Sequence, residues 1–473
     1  MIKVNPYYSS LHFFILSAIF LFSLGVAVYS DLYWIILVPF GMLLFYFGWQ
    51  NWSFIFFCLI FLLPWSIEYN FTATLGTDLP DEPLMLLTAA LFLINWIYQP
   101  RVLERSVWKH PLIGILLLHF FWIIISVIFS TDWLISLKYL LAKSWYLLAF
   151  VFTPLIFFTE KKWIRLAALL FLASMVSVTI LSLIRHYQLG LSFATINKAL
   201  APFFRNHVNY SAMLVCTVPV LVACWQLNKR SRFFIFGILV IVLLALFLSY
   251  SRGAWLALLV GAISYFLIIK RKLFFSFVFS IILVIAGLFW LKSNDRYLEY
   301  AHDFRTTIFH KNFSQHLTAT YQLKDVSTAE RFNRWIAGVR MVDDKWELGY
   351  GPATFYYNYK PYAIPVFKTW VSKNEEHSTV HNYFLLTAIE QGLPGLLIFL
   401  LLIGGMIFYA EKIYHRASDK FFKTTAMAIA VMLMMIATVN FLSDLIETDK
   451  VGSLFFLCLA ALISIDRKTR QLN

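Results

Sequence analysis

Charged residues are scarce in this 473-residue sequence. Asp, Glu, Lys and Arg together make up 14%, whereas hydrophobic residues make up 60% and the mean hydropathy is +0.73. A soluble domain typically has about 25% charged residues. The composition therefore excludes a soluble globular enzyme, a disordered protein and a collagen-like fibre, and it favours a polytopic helical membrane protein.

Cysteines are few, and the common cofactor motifs are missing. The four cysteines all lie inside apolar stretches, so they imply neither a disulfide framework nor a metal-ligand cluster. The sequence has no phosphate loop of the pattern G-x-x-x-x-G-K-[ST], no H-E-x-x-H motif and no Rossmann glycine pattern. We therefore expect no cofactor and no metal, and either a substrate that is already activated on a lipid carrier or pure transport.

Long charge-poor runs dominate what is present. A helix needs about 20 residues to cross the hydrocarbon core, and the runs of roughly that length predict an all-α membrane protein with about 14 spans (about 12–14, because the second and third are short). They lie at residues 11–29, 33–48, 52–67, 84–98, 111–129, 134–158, 163–184, 208–226, 232–249, 253–269, 273–292, 382–410, 424–443 and 451–465. The first run lacks a clear cleavage site and is interpreted as a retained anchor.

The net charge of +14 reports mainly on membrane topology. With the N-terminus inside, most basic residues fall in alternate, cytoplasmic loops and in the C-terminal tail, as the positive-inside rule requires. Nucleic acid is therefore not needed to explain the charge. The predicted organisation is helices 1–11 in residues 1–292, one large, mostly helical extracytoplasmic loop in 293–381, and helices 12–14 in 382–473. The outside segment 68–83 stands out because its charges are all acidic.

Two arginines lie at the outer face, where the topology rule disfavours basic residues. Arg205 precedes the span at 208–226, and Arg252 lies in the turn Ser-Arg-Gly before the span at 253–269. One interpretation is that both bind a diphosphate, because the planar guanidinium donates bidentate hydrogen bonds to phosphate oxygens. The alternative is that each arginine anchors a helix end among lipid headgroups.

A histidine begins the twelfth predicted span. His381 and Asn382 precede an apolar helix that is interrupted by Gly-Leu-Pro-Gly at 392–395. A helix broken at membrane depth is tolerated only where it faces protein or a water-filled cavity. His381 is therefore a candidate general base, with Glu376 and Glu390 nearby in sequence. The alternative is a structural histidine at the helix start.

Inside the long loop, residues 328–342 have apolar residues at helical spacing. Arg331 and Arg334 lie on one face of this predicted helix at i and i+3. They are candidates for contacts with phosphate or sugar, although such a pair is more often a solvated face. The Gly-Tyr-Gly-Pro turn at 349–352 is interpreted as structural.

Together these segments resemble the O-antigen ligase family of membrane proteins, which includes O-antigen polymerases and some protein O-oligosaccharyltransferases. The matching motifs are Ser-Arg-Gly-Ala-Trp-Leu at 251–256, the stretch 331–355, and His381-Asn382 followed by nine residues and Gly-Leu-Pro-Gly. The resemblance covers roughly residues 180–410 and implies a glycosyltransferase of the bacterial cytoplasmic (inner) membrane. Both termini would be cytoplasmic and the active site extracytoplasmic.

The resemblance also implies partners and roles. The donor would be a glycan on undecaprenyl diphosphate, and the acceptor a sugar of lipid A–core, with inversion at the anomeric carbon and no metal. His381 would be the catalytic base, and the substrate-binding residues would be Arg205, Arg252, Arg331, Arg334 and Asn382. Alternatives are a surface polysaccharide polymerase, a protein O-oligosaccharyltransferase with the same donor, a flippase or transporter of lipid-linked glycans, and a non-catalytic scaffold.

Overall fold

The computed structural model describes residues 51–70, 76–300, 326–364 and 379–472, together with scattered positions before residue 51. We number its helices and strands in chain order. The first half contains α1 (Trp52–Leu62), β1 (Ile67–Asn70), β2 (Gly76–Leu79), α2 (Asp81–Tyr98), α3 (Arg105–Trp108), α4 (Pro111–Ile128), α5 (Trp133–Leu147), α6 (Thr153–Phe157), α7 (Lys161–Gln188) and α8 (Ile196–Leu200).

The second half is also helical. It contains α9 (His207–Leu227), α10 (Arg232–Leu248), α11 (Arg252–Ile269), α12 (Leu273–Lys292), α13 (Val326–Asp344), α14 (Phe355–Asn358), α15 (Tyr383–Arg416), α16 (Lys420–Phe441) and α17 (Asp449–Leu472). A short 3₁₀ turn, Leu445–Glu447, connects α16 to α17. The predicted helix at 328–342 is thus found, as α13.

Several long helices begin at a polar residue that caps them. The side chains of His110, Asp132, Asn206, Asn382 and Asp419 accept hydrogen bonds from the first backbone N–H groups of α4, α5, α9, α15 and α16. Such caps satisfy donors that have no partner inside the helix. The polar residues at these loop ends therefore fix where each apolar run enters the bundle.

The described parts of the acidic segment 68–83 contain a short antiparallel hairpin and the first residues of α2. β1 and β2 pair antiparallel with Ile67 opposite Leu79 and Asn70 opposite Gly76, and α2 follows at once. This is the one departure from the all-α prediction in the described ranges. Each strand is only four residues long, and most of β2 is half-buried, so the hairpin lies against the helices.

Eight described helices are long and apolar enough to cross a membrane, and α1 and α10 are shorter apolar helices. The helical membrane class predicted from composition is therefore confirmed. Every predicted span after the first two coincides with a described helix, α2 and α17 included. The spans at 11–29 and 33–48 lie outside the described residues, so the total of about 14 stays a prediction.

The helix α16 forms the centre of the bundle. It packs against α9, α11, α15 and α17, and it is the most deeply buried of the eight candidate spans, whereas α12 is the most exposed. Tyr383, at the start of α15, donates its N–H to the carbonyl of Ser443 just after α16. A Cβ atom on Gly253, at the start of α11, would contact Leu442. The start of α15, the end of α16 and the start of α11 therefore come together at one end of the molecule, and the loop that carries α13 lies there as well.

Candidate functional site

The loop after α13 is anchored where α15 is interrupted. Gly392 leaves helical geometry with φ of 71° and ψ of 175°. The backbone carbonyls of Ile389 and Glu390 accept hydrogen bonds from Tyr350 and Gly351 N–H at 2.9 Å each. The break predicted from the Gly-x-x-Gly motif is therefore present, and its carbonyls are satisfied by protein, as membrane depth requires.

Glu390 strengthens the same connection. Its carboxylate accepts hydrogen bonds from the backbone N–H groups of Ala353 (2.9 Å) and Phe355 (3.2 Å). The side chain is almost fully buried and lies nine residues along the helix from His381. Glu390 thus holds the loop against α15 instead of joining His381, and Glu376 lies outside the described residues.

His381 is held in an unusual backbone conformation just before α15. Its φ is 54°, in the left-handed region that non-glycine residues seldom adopt without support from their surroundings. Its N–H donates to the Thr379 hydroxyl at 3.3 Å, and Nδ1 lies 4.0 Å from the Asp444 carboxylate. The Thr379 hydroxyl in turn donates to the other oxygen of Asp444. These three residues form one polar cluster.

The helix α13 packs over this cluster. Arg334 is only 3% exposed; it pairs with Glu330 at 2.9 Å and donates to the Thr379 carbonyl at 2.8 Å. Trp335 donates to the carbonyl of Val380 at 3.0 Å. Arg334 therefore braces the segment just before His381. Arg331, one turn earlier on the same face, is half-buried.

The surroundings of His381 favour its neutral form. Partial burial of the ring lowers its pKa to about 3, and the positive charges of Arg331 and Arg334 act in the same direction. About 37% of the side chain remains exposed. An imidazole in this position is uncharged at neutral pH, so it can accept a proton from a group that approaches its exposed edge.

Asp444 is the residue that the sequence reasoning missed. It is far from His381 in sequence and follows the end of α16. Burial raises the pKa of this carboxyl, with Glu447 adding to the effect, while the Thr379 hydrogen bond and Arg334 oppose it. The sequence does contain a feature that could have pointed to Asp444. Three acidic residues, Asp444, Glu447 and Asp449, follow closely after an apolar run.

Arg252 lies on the turn that packs behind Asp444. Tyr250, in this turn, has φ of 56° and donates to the carbonyl of Leu191 at 2.6 Å. A Cβ atom added at Gly253 would contact Leu442 at 3.4 Å, two residues from Asp444. The start of α11 therefore approaches the end of α16 closely, and the half-buried Arg252 stands on the same side of the bundle as His381.

The other two predicted site residues are placed differently. Arg205 is exposed before α9, and the described contacts do not join it to His381. The backbone two residues before Arg205 is held by Lys450, which donates to the carbonyl of Phe203. Asn382 is buried, and its Oδ1 caps α15 by accepting from Leu385 N–H at 3.0 Å. Its side chain is therefore occupied by the helix start.

A second polar cluster lies beside the first. Glu447 accepts from the Tyr139 hydroxyl at 2.9 Å and pairs with Lys143 at 3.2 Å. Lys143 is nearly buried, so it is an internal ion-pair partner and not a lysine that reaches out to the membrane surface. The cluster fixes the turn between α16 and α17, and that turn carries Asp444.

Large cavities lie elsewhere in the bundle. One of about 750 Å³ has an almost wholly apolar lining from α7, α9, α10, α16 and α17, including Leu172, Met432 and Leu457. Another, of about 300 Å³, lies between α9, α11 and α16. Neither is lined by His381, Arg205 or Arg252. The polar cluster at the start of α15 is partly buried, and α13 packs against it.

Comparison with known proteins bears on this end of the molecule. A family model described as O-Antigen ligase matches residues 237–400. The match begins in α10 and ends in α15, so it includes Arg252, Arg331, Arg334, His381 and the break at Gly392. Arg205 and Asp444 lie outside it. No curated protein matches the chain.

Proposed function

We propose that this membrane protein is a glycosyltransferase that moves a glycan from undecaprenyl diphosphate to an acceptor hydroxyl, because its segment 237–400 matches a family model described as O-Antigen ligase. The acceptor is a sugar of lipid A–core. The reaction takes place on the outer face of the cytoplasmic membrane, with both termini in the cytoplasm.

The observation that carries this proposal is the position of His381, 4.0 Å from the Asp444 carboxylate and beside the helix α13 that carries Arg331 and Arg334. Asp444 lies on the Nδ1 side, which leaves Nε2 for the acceptor. His381 takes the proton from the acceptor hydroxyl, whose oxygen attacks the anomeric carbon in line. The bond to the diphosphate oxygen breaks, the configuration inverts, and the lipid diphosphate leaves.

Binding of the negatively charged donor changes the base strength of His381. Arg331 and Arg334 lower the pKa of His381, and a diphosphate placed near Arg331 offsets that positive charge. The pKa of His381 then rises toward its ordinary value, and the ring becomes a stronger base. His381 is therefore activated when the donor is present, which limits wasted hydrolysis.

The arginines supply what a metal ion supplies in many diphosphate enzymes. Arg252 and Arg205 stabilise the charge that grows on the leaving diphosphate, and Arg331 orients the donor. Arg334 and Asn382 act indirectly, through the segment and the helix cap that position His381. The proposed transfer is metal-independent because guanidinium groups neutralise the leaving group.

The closest alternatives keep the donor and change the acceptor. A polymerase uses a second lipid-linked repeat unit, and a protein O-oligosaccharyltransferase uses Ser or Thr of exported proteins. A transporter of lipid-linked glycans is less favoured, because such a protein needs charged groups along the middle of its spans. Here His381, Arg252 and Asp444 lie at one end of the bundle.

The decisive experiment is complementation of a strain from which the gene is deleted. Wild-type protein should restore the surface glycan. We expect His381→Ala to reduce transfer at least about 100-fold, and Arg252→Lys to be severely impaired because lysine lacks the planar fork. Arg340→Lys is the matched control, since Arg340 is exposed at the far end of α13 and donates to Tyr362 O.

The glycans that the deletion strain makes distinguish the three possible acceptors. A bare core with lipid-linked polymer accumulating indicates a ligase, a core that carries one repeat unit indicates a polymerase, and loss of glycan on exported proteins alone indicates the protein transferase. Full transfer by a correctly inserted His381→Ala variant would remove the general-base role.

A further inference from the structure

Three carboxylates from distant parts of the chain meet at the same end of the bundle. Asp78 lies in β2, Asp81 is the first residue of α2, and Asp449 is the first residue of α17. One oxygen from each lies within 4.8 Å of the others. The hairpin explains the contact, because it turns the acidic segment 68–83 back toward the start of α17.

The neighbouring lysine does not neutralise this cluster directly. Lys450 has three N–H donors, and these are directed to the backbone carbonyls of Pro64, Ser66 and Phe203. Its charge acts on the carboxylates at longer range. Three carboxylates and one lysine leave a local charge of about −2, which is costly in a buried place unless a cation or protons offset it.

A buried hydroxyl beside the cluster supplies a separate observation. Ser66 is 1% exposed and lies next to the Asp81 carboxyl. The Ser66 hydroxyl lies close enough to the Asp81 carboxyl to oppose the rise that burial causes in its pKa, but neither this hydroxyl nor Asp81 Oδ2 makes a hydrogen bond of ordinary geometry, although both residues are almost fully buried. Buried polar oxygens without partners are rare in proteins and often mark the place of an ion or water.

We propose that Asp78, Asp81 and Asp449 bind one divalent cation, and that the cation is Ca²⁺. Carboxylate and hydroxyl oxygens are hard ligands that suit Ca²⁺ and Mg²⁺. Calcium lies about 2.3–2.6 Å from its ligands, so oxygens on opposite sides of it are about 5 Å apart. Mg²⁺ usually keeps several waters and takes only one or two carboxylates from a protein, whereas Ca²⁺ takes more, so a set of three carboxylates favours calcium.

The position suggests what the ion stabilises. Asp449 also accepts a hydrogen bond from the Tyr146 hydroxyl, and it lies two residues after Glu447. A cation that joins Asp81 to Asp449 would tie the hairpin and α2 to the turn that carries Asp444. It is a structural ion, separate from the metal-independent transfer, and its binding is measurable without any glycan substrate.

The test uses terbium, a calcium mimic that luminesces when an excited aromatic ring is nearby. Full-length protein in detergent is treated with EDTA, dialysed and titrated with Tb³⁺, with excitation of aromatic residues such as Tyr146. We expect one saturable site, displacement by Ca²⁺ at concentrations at least about tenfold below those of Mg²⁺, and a higher thermal unfolding temperature with Ca²⁺.

Variants locate the site. Asp81→Asn and Asp449→Asn should weaken Tb³⁺ binding at least about tenfold, because each removes one ligand charge. Asp343→Asn, which removes an exposed carboxylate paired with Lys292, is the matched control. If the Asp81→Asn variant does not fold, the Asp78→Asn variant is tested instead, because Asp78 lies at the half-buried edge of the cluster. Absence of a saturable signal, or equal loss in the control, would overturn the proposal, whatever the transfer activity.

Discussion

At the scale of single residues, the protonation state of His381 follows from its neighbours. Desolvation is the largest cause of its lowered pKa, and the charge of Arg331 is the next. A positive neighbour disfavours the imidazolium form, so the ring loses its proton at lower pH than an isolated histidine. The same arginine therefore keeps the ring uncharged in the free protein and makes its base strength sensitive to a bound anion.

Replacement of Arg331 by glutamine tests this coupling. Loss of the positive charge stabilises the imidazolium, so the pKa of His381 should rise, by about one unit. Of the two protonation states of histidine, only the neutral imidazole reacts with diethyl pyrocarbonate, and peptide mass spectrometry resolves His381 from the other histidines. We expect half-maximal modification of His381 at higher pH in Arg331→Gln than in wild type, and no change in Arg340→Gln. An unchanged or downward shift would contradict the coupling.

Two residues of this site could be predicted from the sequence because of where they lie along the chain. Arg252 and His381 stand at the starts of apolar runs, where a charged or titratable residue is conspicuous. Asp444 was missed because only folding brings the end of α16 to the start of α15. Arg334 was a candidate for substrate contact. Its pair with Glu330 is an i, i+4 contact that helical spacing allows, whereas its burial and its bond to the Thr379 carbonyl depend on packing that the spacing does not contain.

At the scale of elements, the interruption of α15 depends on a second glycine segment. Gly349 has φ of 70° and Gly392 has φ of 71°. A Cβ atom on Gly349 would overlap the backbone at Ile389 and Glu390, and one on Gly392 would overlap the carbonyl of Glu347. The sequence predicted the break and a structural turn at 349–352, but not that each glycine makes room for the other segment.

Alanine at either position should separate the loop from the helix. We expect Gly392→Ala and Gly349→Ala each to destabilise the protein by at least about 2 kcal/mol, from the left-handed backbone and the overlap. Thermal unfolding followed by intrinsic fluorescence measures this. Gly404→Ala, in the same helix, is the control, because its nearest neighbour is Phe277 at 3.4 Å and alanine favours a helix. Equal stability of all three variants would show that the break does not need glycine.

At the scale of the whole molecule, the two ends of the bundle differ in chemistry. One end holds His381, Asp444 and the carboxylate cluster. At the other end, Asp466 is fully buried and paired with Arg416 at 2.8 Å and Arg470 at 2.7 Å. The apolar runs and the alternation of basic loops predicted this polarity. The hairpin was not predictable, because β1 and β2 are too short and polar to show a strand pattern.

The orientation of these ends is the last prediction. Lys162 lies at the start of α7 beside Lys161, which pairs with Asp419 at the start of α16. Tyr357 lies in the loop above the opposite end of α16, and both side chains are exposed. If basic loops face the cytoplasm, a membrane-impermeant maleimide should label Tyr357→Cys in intact cells and Lys162→Cys only after permeabilisation. The four native cysteines are buried or half-buried and give the background. Labelling of Lys162→Cys in intact cells would reverse the topology and place the proposed site in the cytoplasm, where a flipped lipid-linked donor cannot reach it.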